Sequence, residues 1–181
     1  MHEQPIGQVH ADEYVNHRRS SDVEFRVESK SFYALREVLI RSSNTFRELL
    51  EASDARTIEI TGISARGFES VLHYVYSGRV DIREDVAEEL LRASDRFQLE
   101  GLKHLCGQFA SNFIAMENLC TVYNVSHSVN AQLLKTRCVM FMLEMSEEMV
   151  TTRGQEEFLA LTSAMMPDIR DYLTRLLNRL P

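Results

Sequence analysis

A chain of 181 residues with 44% hydrophobic and 26% charged side chains has the balance of a folded protein of one or two domains rather than a disordered tail. Its formal net charge of -7, with no basic run longer than His17-Arg18-Arg19, argues against a nucleic-acid surface. No apolar stretch approaches the ~18 residues of a membrane span, residues 1–20 lack a signal-peptide core, and Cys106, Cys120 and Cys138 read as reduced thiols, so the expected location is cytoplasmic or nuclear.

Residues 1–19 read as a polar lead-in in which only Tyr14 and Val15 cluster as apolar side chains. Val23, Phe25 and Val27 alternate with Glu24 and Arg26, which predicts a strand over Asp22–Val27 with one buried and one wet face. Glu28-Ser29-Lys30 suits a tight turn, and a second strand follows over Ser31–Ala34. A helical run then carries a break at Arg41-Ser42-Ser43 before Phe46. Thr57–Ile60 reads as a third strand and Val80-Asp81-Ile82 as a short fourth.

Phe68, Val71, Leu72, Val75 and Tyr76 form one helical stripe, with Ser64 as its N-cap and Gly78 as its stop. Helices are predicted over Arg83–Phe97, with Val86, Leu90, Leu91 and Phe97 inward, and over Leu99–Phe113, with Leu102, Leu105, Cys106, Phe109 and Phe113 aligned. Beyond Phe113 no strand signal remains. Met116–Val125, Ala131–Met145, Gln155–Met165 and Pro167–Leu180 read as helices punctuated by Gly154 and Pro167. The last carries the stripe Ile169, Tyr172, Leu173, Leu176, Leu177 and Leu180. There is no internal repeat. The fold class is α+β: a small sheet capped by helices over 20–112, then an all-α extension over 113–181.

The chemistry-bearing residues point away from catalysis. His104, Cys106, Cys120, His127 and Cys138 lack the close paired spacing of a zinc site, so no metal is expected. There is no G-x-S-x-G elbow or phosphate-binding glycine loop, and Glu88-Glu89 and Glu147-Glu148 fall on solvated helix faces, so neither an enzyme nor a cofactor site is expected. Met140, Met142, Met145, Met149, Met165 and Met166 read as adaptable core filling.

Four motifs carry a resemblance. They are Ser21-Asp22-Val23 at the first strand, Phe32-Tyr33-Ala34-Leu35-Arg36-Glu37-Val38-Leu39 after the second, Ser43-Asn44-Thr45-Phe46-Arg47, and Tyr74-Val75-Tyr76-Ser77-Gly78. Together they resemble the BTB/POZ family, protein-interaction modules that dimerise. The resemblance implies a homodimer interface at Val38, with Leu35 and Leu39, and a charged pocket near it formed by Asp22 and Arg36. Without the family, that pair reads as an exposed ion pair worth at most ~1 kcal/mol. Leu35 stands where the family usually has histidine. Met116-Glu117-Asn118-Leu119, Leu133-Leu134-Lys135 and Cys138 resemble the BACK region of BTB adaptors. From Glu13 onward, including Pro167-Asp168-Ile169-Arg170-Asp171-Tyr172-Leu173-Thr174, the chain is most similar to plant armadillo-repeat BTB proteins.

The implied function is an adaptor that brings an unknown substrate protein to a cullin-3 type ubiquitin ligase. The candidate cullin face is Leu49, Asp54, Tyr76 and Tyr123. The segment Glu51–Arg56 departs from that pattern, having no bulky apolar residue followed two positions later by glutamate. The alternative is a stand-alone scaffold or transcription-regulatory dimerisation module without ligase contact.

Overall fold

The computed structural model describes residues 16–52, 54–153 and 155–178, so residues 1–15 of the lead-in, Gly154 and Leu180 lie outside it. The chain divides into two compact units, Met1–Lys103 and His104–Pro181.

The first unit is built on a three-stranded sheet. Strand β1 (Val23–Val27) pairs antiparallel with β2 (Lys30–Ala34) and parallel with β3 (Thr57–Ile60), giving the order β2-β1-β3. The predicted alternation holds: Val23, Phe25 and Val27 are buried on one face. The turn between β1 and β2 places Glu28 at φ 54°, and its carboxylate accepts the Ala65 N–H at 3.0 Å.

Helices α1 (Arg36–Ser42) and α2 (Asn44–Glu51) follow, then α3 (Ala65–Ser77), α4 (Glu84–Arg96) and α5 (Glu100–Ser111), within which the boundary between the units falls. The break before Phe46 is real. Ser43 has extended backbone, and its hydroxyl accepts the Phe46 N–H while donating to the Phe97 carbonyl at 2.5 Å. Ser64 caps α3 by accepting the Gly67 N–H, and Gly78 ends it in the left-handed conformation. The Glu89 carboxylate also accepts the Ser64 N–H and hydroxyl.

Five phenylalanines from five different places form the centre of this unit. Phe25, Phe32, Phe46, Phe68 and Phe97 come from β1, β2, α2, α3 and the end of α4, and all are buried. Phe46 stacks on Phe97 with centroids 4.7 Å apart, and Phe68 lies within 5.3–6.1 Å of Phe25, Phe32 and Phe97. Two expectations fail here. Val80–Ile82 is irregular: Gly78 ends one helix, Arg83 starts the next, and the carbonyl of Arg79 is taken by the Ser77 hydroxyl. The α3 stripe is also shorter than its pattern, with Phe68, Val71 and Leu72 buried and Val75 and Tyr76 only half-buried.

The second unit is helical: α6 (Leu119–Ser128), α7 (Gln132–Glu144), α8 (Ser146–Arg153) and α9 (Gln155–Leu177). Its core gathers Leu119, Tyr123, Cys138, Val139, Met142, Met149, Leu161, Met165 and Ile169. Three of the six clustered methionines, Met142, Met149 and Met165, are thus core filling, whereas Met166 is 50% exposed. The expected break at Pro167 is absent, because Pro167 lies inside α9. Proline cannot donate to the carbonyl four residues back, that of Ser163, but both residues are exposed, where water can take that carbonyl.

Three further differences concern helix bounds and faces. Helix α8 is not expected from sequence, because over residues 146–152 only Met149 is buried and no stripe forms. Phe113 falls beyond the end of α5 and is 45% exposed, its ring resting on Phe109. On α9, Ile169 is buried and Tyr172 half-buried, but Leu173, Leu176 and Leu177 face outward.

Candidate functional site

The predicted pocket residues meet at the start of α1. Leu35 occupies the N-cap position and has no side-chain oxygen to offer the helix. Two groups distant in sequence replace it. The Asp22 carboxylate accepts the Arg36 N–H at 2.8 Å, and the Tyr76 hydroxyl accepts the Leu35 N–H at 2.8 Å. A carboxylate at this end also complements the partial positive charge of the helix N-terminus. Burial pushes the Tyr76 hydroxyl up from its ordinary value; the Leu35 N–H works against that, and the charge of Asp22 adds to it.

The Arg36 guanidinium does a second job. It donates to the carbonyls of Leu50 at 2.7 Å and Ala55 at 2.6 Å, strapping the segment after α2 to the start of α1. Asp22, Arg36, Asp54 and Arg56, with Ser21, line an open recess of about 490 Å³. Two carboxylates and two guanidinium groups thus share one shallow surface. The sequence pairs Asp22 with Arg36, and the structure joins them through the backbone N–H of Arg36.

The remaining predicted contact residues divide by burial. Leu35, Val38, Leu49 and Tyr76 are half-buried and Asp54 is exposed, while Leu39 is fully buried beneath α1. Tyr123 is 4% exposed in the second unit, so it cannot itself be a surface anchor. Its hydroxyl donates to the Asp168 carboxylate at 2.7 Å, and the Lys135 ammonium donates to the other oxygen at 3.3 Å. Burial raises the Tyr123 hydroxyl well above its ordinary value, reinforced by Asp168. Burial alone would raise Asp168 too, but the bonds from Tyr123 and Lys135 outweigh it and hold its carboxyl below the ordinary value. Asp168 and Lys135 escape a reading of sequence because nothing local marks either as buried. They are 33 residues apart, and only the packing of α7 on α9 pairs them.

The chemistry of the thiols is limited by burial, which pushes Cys106 and Cys138 up to about 12; Cys120 is exposed. Among the described residues, no three His, Cys, Asp or Glu side chains come together as a metal-binding group, and no helix is long and apolar enough to cross a membrane.

The likeness to known proteins agrees with this architecture. The chain is similar to the Arabidopsis thaliana "ARM repeat protein interacting with ABF2", 37% identical over 172 residues, covering 93% of this chain and 24% of that protein. It is 30% identical to human Kelch-like protein 24 over 154 residues, covering 83% of this chain and 25% of that one. The chain therefore spans about a quarter of the length of these relatives. Among solved structures, the BTB domain of zebrafish PATZ1 superposes with a TM-score of 0.51 at 20% identity, over 62% of this chain and 99% of that domain, and so shares its fold. The sequence profile of the BTB/POZ domain matches residues 11–114, more than half of the chain, which therefore belongs to the BTB/POZ family of protein-interaction domains.

Proposed function

We propose that this chain is the assembly module of an adaptor for a cullin-3 type ubiquitin ligase. It dimerises through α1, and its first unit holds the cullin while a substrate protein is held elsewhere. The observation that carries this reading is the anchoring of α1. Asp22 and Tyr76 fix its start, Leu39 seats it in the core, and Leu35 and Val38 stay half-exposed on a helix that cannot shift freely. A pre-organised helix loses little entropy when a second copy packs on it. A charge placed at Val38 would be buried unpaired in such a dimer and should be costly.

Light scattering is expected to give about twice the 20.9 kDa monomer mass for the native chain and the monomer mass for Val38→Asp. A native chain that stays monomeric at tens of micromolar would sink the dimer. Calorimetry against the N-terminal domain of cullin-3 is expected to show binding near ~1 μM, about −8 kcal/mol. The weakness follows from the Glu51–Arg56 segment, which lacks one apolar anchor, and a central anchor is worth roughly 2 kcal/mol or more.

That same segment favours a second reading, a dimeric scaffold with no ligase contact. A dimer that shows neither heat nor co-elution with the cullin domain at high micromolar concentration would select it.

A further inference from the structure

The basic group His17-Arg18-Arg19 plays no part in the assembly described above, and it immediately precedes two serines. Residues 16–20 are all exposed, and Ser21 is half-exposed at the rim of the recess. The segment belongs to no helix or strand. It is a turn closed on the His17 carbonyl, which accepts the Ser20 N–H at 3.2 Å and the Ser21 hydroxyl at 2.6 Å. Arg18 lies over the ring of the half-buried Tyr33, 5.8 Å from its centre. Drawing residues 16–21 out extended would open the bonds on the His17 carbonyl and the one from the Tyr33 N–H to the Asn16 side chain, while Asp22 stays tied to Ala34 and to the start of α1.

We propose that Ser21 is a phosphorylation site for a basophilic serine kinase. Arg18 and Arg19 stand three and two residues before it. Two guanidinium groups at those places are what an acidic substrate groove can pair with, as bidentate partners for carboxylates. In the reaction the Ser21 Oγ forms a bond to the γ-phosphorus of ATP as the bond from that phosphorus to the β,γ-bridging oxygen breaks. The serine proton passes to the kinase base, and ADP leaves.

The consequence follows from what surrounds the oxygen. Phosphorylation removes the hydroxyl proton that closes the turn on His17 and places about two negative charges in a recess whose signs were balanced. Asp22 and Asp54 repel that charge, and Arg36 and Arg56 attract it. Arg36 is also the strap on the carbonyls of Leu50 and Ala55, so the phosphate competes for the group that holds that segment. The modification thus acts on the start of α1 from outside.

The test treats the whole chain with ATP and the catalytic subunit of cyclic-AMP-dependent protein kinase, a basophilic enzyme, and maps the phosphate by mass spectrometry. Ser21 is expected to be the acceptor, with Ser21→Ala unlabelled and Ser20→Ala labelled at the native rate. The Arg18→Ala/Arg19→Ala chain should be labelled roughly tenfold more slowly. Labelling on Ser20, or a rate indifferent to the two arginines, would overturn the assignment. So would labelling of a short peptide spanning the site but not of the folded chain. Circular dichroism of each variant separates loss of the site from loss of fold. In the labelled chain, amide exchange across residues 50–56 is expected to quicken, and unchanged exchange there would overturn the competition for Arg36.

Discussion

The two units solve the same packing problem with different materials. In the first, rings from five elements meet, and a ring fits its neighbours in few orientations, as the near-parallel stack of Phe46 on Phe97 shows. Charged groups there act mainly at the edges, where Asp22, Glu28 and Glu89 serve helix starts. In the second unit the core is aliphatic and methionine-rich, and methionine adapts to many shapes. Registry then rests on a polar group: Asp168 between Tyr123 and Lys135 fixes how α9 lies on α6 and α7. Shape specifies one unit, and a hydrogen-bonded group of three specifies the other.

That contrast breaks first, and most severely, at Phe46. Phe46→Ala removes a ring in contact with two others and should cost about 4 kcal/mol, read as a lower urea midpoint for the first unit. The second unit should be nearly unaffected. Equal loss in both would mean that they do not unfold separately.

Asp168→Asn comes next, at about 3 kcal/mol, because it leaves the Lys135 ammonium buried without its counter-charge. This site also gives a pH signature. The folded carboxyl of Asp168 lies below its ordinary value of 3.8, so its contribution is complete above that value. It is lost as the pH falls through the lowered folded value. Acid titration followed by the tyrosine signal should show this loss in the native chain and not in Asp168→Asn.

Tyr76→Phe keeps the ring and deletes the hydroxyl that accepts the Leu35 N–H. It should cost about 1 kcal/mol and loosen the start of α1, detectable as faster amide exchange at Leu35. The smallest effect is expected from Met149→Leu, below about 1 kcal/mol by thermal melting, since an adaptable core accepts a side chain of similar volume. A large loss there would show that the methionine core is as shape-specific as the ring cluster.

What sequence could reveal follows the same division. The alternation of Val23, Phe25 and Val27, the helix break before Phe46, the serine cap at 64 and the glycine stop at 78 are local signals, and each stands where its pattern placed it. Of the recess, family motifs singled out Asp22 and Arg36 but neither Arg56 nor the way Asp22 and Arg36 meet. Asp22 reaches a backbone N–H across 14 residues, and periodicity carries no such information. Pro167 misled because its local rule assumes that a helix must satisfy every carbonyl by itself; on an exposed face solvent can do so. Leu173, Leu176 and Leu177 misled in the opposite way, since an apolar spacing says which residues share a face but not what lies against it.

The hydroxyl of Ser43 carries a consequence in time. It joins the start of α2 to the carbonyl of Phe97 across 54 residues of chain, beside the stack of Phe46 on Phe97. During synthesis, the chain up to the end of α3 would already hold the sheet and most of the rings. Ser43 would still lack the Phe97 carbonyl, and Phe46 would have the Phe25 ring but not that of Phe97. Closing so long a loop is what makes folding slow. The ring cluster of the first unit is therefore completed only once the end of α4 has been made.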